Sequence, residues 1–168
     1  MTAITSSFNR DANHVPITNE GIITKRTVTF AGGTTNAWGD DGGTKDGGVL
    51  FTVTGLIIAR VIGVCTTLLD GGATEEVGIT GATAIFCSQL TDTALDAGEI
   101  WLGDGTPATY FIIGEENAAA DNLPIYLLNG NDIILTTAGG ANTTSGVVDF
   151  YCLWNPISDD GNVVATTD

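Results

Sequence analysis

From Val49 to Trp154 the chain is a succession of short apolar runs, each cut off by Gly, Asp, Asn or Pro, and the clearest of them alternate apolar and polar positions. A period of two is the pattern of half-buried strands, whereas an amphipathic helix needs apolar residues recurring three and four apart over a longer stretch. Ile22–Phe30 opens the series and ends in the alternation Thr27-Val28-Thr29-Phe30. Val49–Thr54, Leu56–Cys65, Glu75–Thr80, Ala84–Leu90, Gly98–Leu102, Thr109–Ile113, Tyr126–Leu128, Asp132–Thr137 and Gly146–Trp154 follow. Asp70-Gly71-Gly72, Gly103-Asp104-Gly105, Asn129-Gly130, Gly139–Ser145 and Asp160-Gly161 supply turns between them. Helix is confined to Glu115–Asn122, limited by Pro124, and to one turn within the connector Thr91–Gly98. The expected fold is all-β, a sandwich or barrel of about eight to ten short antiparallel strands with an extended N-terminal arm.

The individual runs carry finer expectations. In Val49–Thr54, Val49, Phe51 and Val53 face one side and Leu50, Thr52 and Thr54 the other, and Gly55 ends the strand. Leu56–Cys65 is so nearly continuous in apolar residues that it reads as a strand buried on both faces. Arg60 lies inside it on the face of Ile58 and Ile62, so its charge needs a carboxylate or a partner's carbonyls, as an internal ion pair or an intersubunit one. Asn129-Gly130 is the strongest hairpin signal in the chain. In Gly146–Trp154, Val148, Phe150, Cys152 and Trp154 point inward and Asp149 and Tyr151 outward.

Charge excludes whole classes of partner. The 168 residues carry a net charge of −15, which repels phosphate backbones and anionic headgroups, so neither nucleic acid nor membrane is expected. No apolar stretch is long enough to span a bilayer, and no basic segment followed by an apolar one marks a secretion signal. Charged residues make up only 15% of the chain, which leaves little surface built purely for water and points to surface committed to other protein. Sheet edges are normally guarded by Lys and Pro, and both are scarce here, so either acidic and Gly-rich bulges guard the edges or neighbouring subunits cover them. The second is the expectation, giving a homo-oligomer. Cys65, Cys87 and Cys152 are odd in number, widely spaced and set in apolar runs; they read as buried free thiols, suited to folding in a reducing cytoplasm.

Catalytic chemistry is not legible. The one histidine, His14, lies in the N-terminal stretch, away from any scaffold that could hold it against a nucleophile, so no Ser-His or Cys-His site is formed. The carboxylate pairs Asp40-Asp41, Glu75-Glu76, Glu115-Glu116 and Asp159-Asp160 are sequence neighbours, which point to opposite sides of a strand. The loop Gly39–Lys45 lacks the order of a phosphate-binding loop, and its acidic residues lack the spacing of a calcium loop. No enzyme activity, cofactor or metal is expected.

Two stretches are candidates for contact instead. The loop Ala31–Gly48 is long, rich in Gly, Asp, Thr and Asn, and holds a lone Trp38, which serves as a contact residue or folds back on the domain as a lid. Ser6–Ile17 has no periodicity, and Pro16 holds Val15 extended. It nevertheless places Phe8, Val15, Ile17 and a scarce Arg10 in a row, the composition of an address rather than of a disordered leader. The chain thus divides into an arm over residues 1–20, a β domain over 21–155 and a tail over 156–168.

Three segments together carry a resemblance. The arm Ser6–Ile17, the central Asp96-Ala97-Gly98-Glu99-Ile100-Trp101 and the closing Tyr151–Val163 resemble small proteins encoded in tailed-phage head modules, the capsid decoration or cement proteins. They cover about a fifth of the chain but span it end to end, and none is a catalytic signature. The resemblance implies a β-rich virion protein, commonly trimeric, that sits on the capsid exterior, binds the major capsid protein and stabilises the shell. In the arm, Phe8, Arg10, Asp11, Asn13, Val15 and Pro16 match the family's pattern. His14 stands where a basic residue is expected, which makes the charge there depend on pH. Those residues, with Ile17 and Trp38, are the candidate capsid contacts. A receptor- or glycan-binding module of a phage tail or spike is the alternative, with Trp38, Trp101 or an acidic loop forming a sugar or calcium site.

Overall fold

The computed structural model describes residues 21–34, 36–103 and 125–167 of the chain. They form ten strands in two antiparallel sheets, the architecture of a sandwich. The strands are β1 (Ile22–Thr29), β2 (Gly48–Thr54), β3 (Leu56–Asp70), β4 (Thr74–Ile79), β5 (Ala82–Thr91), β6 (Ile100–Trp101), β7 (Tyr126–Asn129), β8 (Ile133–Ala138), β9 (Ser145–Pro156) and β10 (Asn162–Ala165). One sheet has the order β1-β9-β3-β6, with β7 also paired to β3; the other has the order β10-β2-β8-β4-β5. The expected turn in Thr91–Gly98 is present as a 3-10 turn over Asp92–Ala94. Thr109–Ile113 and Glu115–Asn122 lie outside the described residues.

Strand β9 alternates as the sequence requires: Val148, Phe150, Cys152 and Trp154 are buried and Asp149 and Tyr151 face outward. Its partners β1 and β3 alternate in register with it, Val28 against Val148 and Val61 against Cys152. Their inner faces meet Phe51, Val77, Phe86, Ile133 and Leu135 from the other sheet in one core. The indole N–H of Trp101 donates to Ser88 O at 3.0 Å, and the ring tilts against Phe150, so the bulky core side chain keeps its polar atom satisfied.

Five sequence expectations need correction. β3 and β9 run to 15 and 12 residues, so the strands are not all short. In β2 both Leu50 and Phe51 are buried, because the register with β8 slips between Val49 and Phe51 and turns two successive side chains to one face. Asn129-Gly130 does not close a hairpin: β7 joins the first sheet and β8 the second. Gly130 (φ +68°) instead turns the chain across the core, and its N–H donates to the carbonyl of Gly55 (φ +62°), where β2 crosses to β3. The turn residues specify a left-handed backbone there but not that the flanking strands pair. The stretch read as a tail contributes β10, which pairs with β2 and buries Val163. Finally, β3 is buried on one face only, as described below.

The chain changes sheet at each described connection between consecutive strands except the β4–β5 hairpin at Thr80-Gly81. The crossings collect at two ends. Gly55, Gly130 and residues 157–161 lie at the lower end, where β1 begins. Residues 30–47, 71–73, 92–99 and 139–144 gather at the upper end.

Candidate protein-contact surface

At the upper end, Trp38 folds back onto the domain and is 5% exposed. It bridges Phe30, and its carbonyl accepts the N–H of Ala31 at 3.0 Å. The Arg26 guanidinium, turned inward from β1, sits 5.1 Å from the indole ring, and Lys45 approaches it at 5.0 Å. Arg26 Nη1 also donates to the carbonyl and hydroxyl of Thr166. Gly48 is needed beneath the ring, since a Cβ there would come within 2.7 Å of it. Of the two readings of Trp38, the lid is what the structure shows; the indole offers no outward contact face.

The acidic residues of the same loop are used to hold backbone. Asp40 accepts the N–H of Gly33 at 3.2 Å, and Asp41 that of Gly140 at 2.6 Å. Asp46 accepts those of Thr137 (3.0 Å) and Gly42 (3.1 Å). Each carboxylate satisfies backbone donors, including Thr137 on β8, left outside the strand ladders. Among the described residues no three His, Cys, Asp or Glu side chains converge as a metal site.

The outer face of the first sheet has the opposite character. Alternation along β3 buries Ile57, Ala59, Val61 and Cys65 and turns Ile58, Arg60, Ile62 and Val64 outward. The sequence expectation of burial on both faces fails because the second sheet covers only one. Register brings the outward residues into rows: Ile23 opposite Leu153, Leu153 opposite Arg60, Tyr151 opposite Ile62, and Leu127 opposite Ile58. Leu127 is 64% exposed, Ile125 62%, Ile23 58% and Ile58 36%, clustered toward the lower end. Arg60 stands among them with no carboxylate in ion-pair range among the described residues. Lys25 and Asp149 form a 2.7 Å ion pair at the rim, and Lys25 also lies over Tyr151 at 5.5 Å. Burial alone would raise Asp149, but hydrogen bonds from Lys25 and Thr27 outweigh it and hold the carboxyl below its ordinary value.

Phe8, Arg10, Asp11, Asn13, His14, Val15, Pro16 and Ile17 lie outside the described residues. The point where the arm joins the domain is described: Gly21 (φ +74°) packs against Trp154 and Asn155 at the lower end, beside the exposed apolar cluster. Trp38 lies at the far end of β1, about 25 Å away at the rise of a strand. The arm's attachment and Trp38 therefore do not belong to one surface. The residues that sequence reasoning missed are Ile23, Ile58, Ile125 and Leu127. For Ile58 the signal was the unbroken apolar run of β3, read as two covered faces; Ile23 on β1, Leu127 on β7 and Ile125 just before β7 carried no such signal.

The three thiols are buried, as expected, and none is bridged. Burial pushes Cys65 and Cys87 up and Cys152 up to about 12, so none is a thiolate at neutral pH. No helix among the described residues is long and apolar enough to cross a membrane. Comparison with protein-family models, with curated proteins and with solved structures finds no match for this chain.

Proposed function

We propose that this chain is a structural protein of a tailed-phage head. It binds the major capsid protein on the outside of the shell as a homo-oligomer, with the trimer as its expected form, and stabilises the shell. The observation that carries the reading is the outer face of the β1-β9-β3 sheet, where Ile23, Ile58, Ile125 and Leu127 stand exposed around Arg60. Exposed apolar side chains grouped on one face, with a basic residue among them in a strongly acidic protein, suit a protein partner. The arm joins the domain at Gly21, at the same end of this sheet. Phe8 is its apolar anchor and Arg10 its fork for a carboxylate. The three segments that resemble decoration proteins agree with this use, and nothing in it calls for catalysis.

The glycan-binding alternative is weaker on one specific point. Besides an acidic loop it draws on Trp38 or Trp101, and both of those rings are in the core, at 5% and 0% exposure.

The test is binding to purified phage heads. Deleting Met1–Asn19 is expected to leave a folded oligomer that no longer stays on the head. Phe8→Ala and Arg10→Ala should each weaken binding by about 1–3 kcal/mol, the range of interface anchors. Sedimentation, with and without heads, should show more than the 17.3 kDa species. A truncated chain that binds heads as tightly as the full one would sink the arm's role; a lower melting temperature in place of lost binding would make the arm part of its own fold. Binding to a glycan array with no binding to heads would transfer the case to the alternative.

A further inference from the structure

Two carboxyl groups among the described residues are buried, and the structure holds them in opposite ways. Asp92 is 0% exposed, and its oxygens accept the backbone N–H groups of Gly72 (2.6 Å), Ala73 (3.1 Å) and Thr93 (2.6 Å). Three fixed backbone donors satisfy its oxygens away from water. Glu75, on β4 and 1% exposed, is met by hydroxyls. Thr143 Oγ1 is 2.6 Å from Oε1, and Thr137 Oγ1 is 3.2 and 3.0 Å from the two carboxyl oxygens; both threonines are themselves buried. A hydroxyl donates or accepts as required, so this pair can serve a neutral acid as readily as an anion.

The charged groups that face Glu75 are carboxylates: Asp92, from the turn after β5, and Asp46, from the loop before β2. Strand β8 and residues 139–144 contain no charged residue, and β5, which pairs with β4 on its other side, contains none either. Thr143 is also the hinge-pin of the upper end. Its N–H donates to Gly39 O at 2.8 Å and its carbonyl accepts the N–H of Gly32 at 2.8 Å. Holding Thr143 therefore holds the 30–47 loop as well.

We propose that Glu75 is carried as a neutral carboxylic acid and acts as a proton-dependent clasp that fastens residues 139–144, and through Thr143 the 30–47 loop, onto the second sheet. When the clasp is closed, ionising Glu75 would place a negative charge facing the Asp46 and Asp92 carboxyls in a place sealed from water. When residues 139–144 swing away, Glu75 meets solvent and ionises freely. Opening the upper end and losing one proton are thus linked.

The direction follows from the two states. Burial raises the closed-state carboxyl to about 8 against the pull of the two threonine hydrogen bonds, with Asp92 and Asp46 adding to the rise. In the open state it returns to its ordinary value of 4.5. Below that value the clasp holds at full strength. Between the two values the opening constant should rise about tenfold per pH unit, and above about 8 it should level off.

The experiment is native-state hydrogen exchange on the full chain from pH 5 to pH 8, corrected for intrinsic exchange and read at the amides of Thr143 and Gly32. Wild-type protection should fall by about tenfold per pH unit. Glu75→Gln, which keeps the shape and the hydrogen bonds of the neutral acid but cannot ionise, should flatten that slope. Equal slopes in both proteins, or a flat wild type, would overturn the clasp. Should the variant not fold, the carboxyl carbon shift of Glu75 in the wild type decides: a midpoint near 8 agrees, and one below about 6 overturns it.

Discussion

Replacing Trp38 by alanine separates a core residue from a contact residue. A buried tryptophan removes roughly 200 Å² from water, which at ~25 cal/mol per Å² is worth about 5 kcal/mol as an upper bound. Measured truncations of core aromatics cost about 3–5 kcal/mol, since the cavity collapses only in part. Trp38 has neighbours that make collapse difficult. Its ring is backed by Gly48, which has no side chain to move in, and flanked by the cations Arg26 and Lys45. Arg26 is itself 6% exposed, so losing the ring strips a buried charge of its aromatic face, a further ~0.5–1 kcal/mol. A total near 4–5 kcal/mol is expected, equivalent to a fall in melting temperature of roughly 8–20 °C for a chain of this length.

The assay is urea unfolding followed by the fluorescence of the remaining tryptophans and by circular dichroism. The midpoint should move with little change in slope. Trp38→Phe, which refills part of the space, should cost about 2 kcal/mol and leave head binding untouched. A Trp38→Ala protein destabilised by less than about 1 kcal/mol would refute the packing argument. Loss of head binding by the stable Phe variant would return Trp38 to the list of contacts.

Two further outcomes follow from the buried polar and sulfur groups. Asp92→Ala removes the acceptor for the Gly72, Ala73 and Thr93 amides and should cost about 3 kcal/mol in urea unfolding; Asp92→Asn, which keeps one acceptor oxygen, should cost less. Cys65, Cys87 and Cys152 should not react with a thiol reagent at pH 8 in the native protein and should all react once it is unfolded, whereas rapid labelling of any of them in the native state would contradict their burial.

How far the sequence could be read depended on whether a feature was local. The inward set of β9 was legible because period-two alternation is a property of neighbours, and Val148, Phe150, Cys152 and Trp154 follow it without a slip. The bulge in β2 was not, since Val49–Thr54 alternates cleanly on paper and the slip is imposed by pairing with β8. Asn129-Gly130 shows the same division. Its left-handed turn was foreseeable from two residues, but the sheet each flank joins is settled by contacts with β3 and β2 far off in sequence. Glu75 and Glu76 were read correctly as pointing to opposite sides. That Glu75 goes inward could have been inferred from Val77, which shares its face. That it meets two threonine hydroxyls could not, because Thr137 and Thr143 are 62 and 68 residues away.

The edges of the sheets bear most directly on the proposed assembly. Scarce Lys and Pro suggested that neighbouring subunits cover them, yet the structure deals with both flanks from within. On one flank β1 lies against β10: Arg26 reaches Thr166, Thr24 Oγ1 donates to Val163 O at 3.3 Å, and the Trp154 indole N–H donates to Thr24 at 3.0 Å. On the other flank β5 is ten residues long and uncharged, but its register with β4 slips twice, and its Ser88 is tied to Trp101 and Gly103. Bulges of that kind twist an edge away from continuous pairing. Joining sheets edge to edge at β1, β10 or β5 is therefore disfavoured. The remaining argument for self-association is the outer face around Arg60, where the apolar side chains stand clear of the core. Leu127→Glu should consequently disperse the oligomer without unfolding the domain, since Leu127 projects into solvent and its neighbour Leu128 carries the packing. Sedimentation that shows the same assembly for this variant would remove the face from the interface and leave the arm as the means of association.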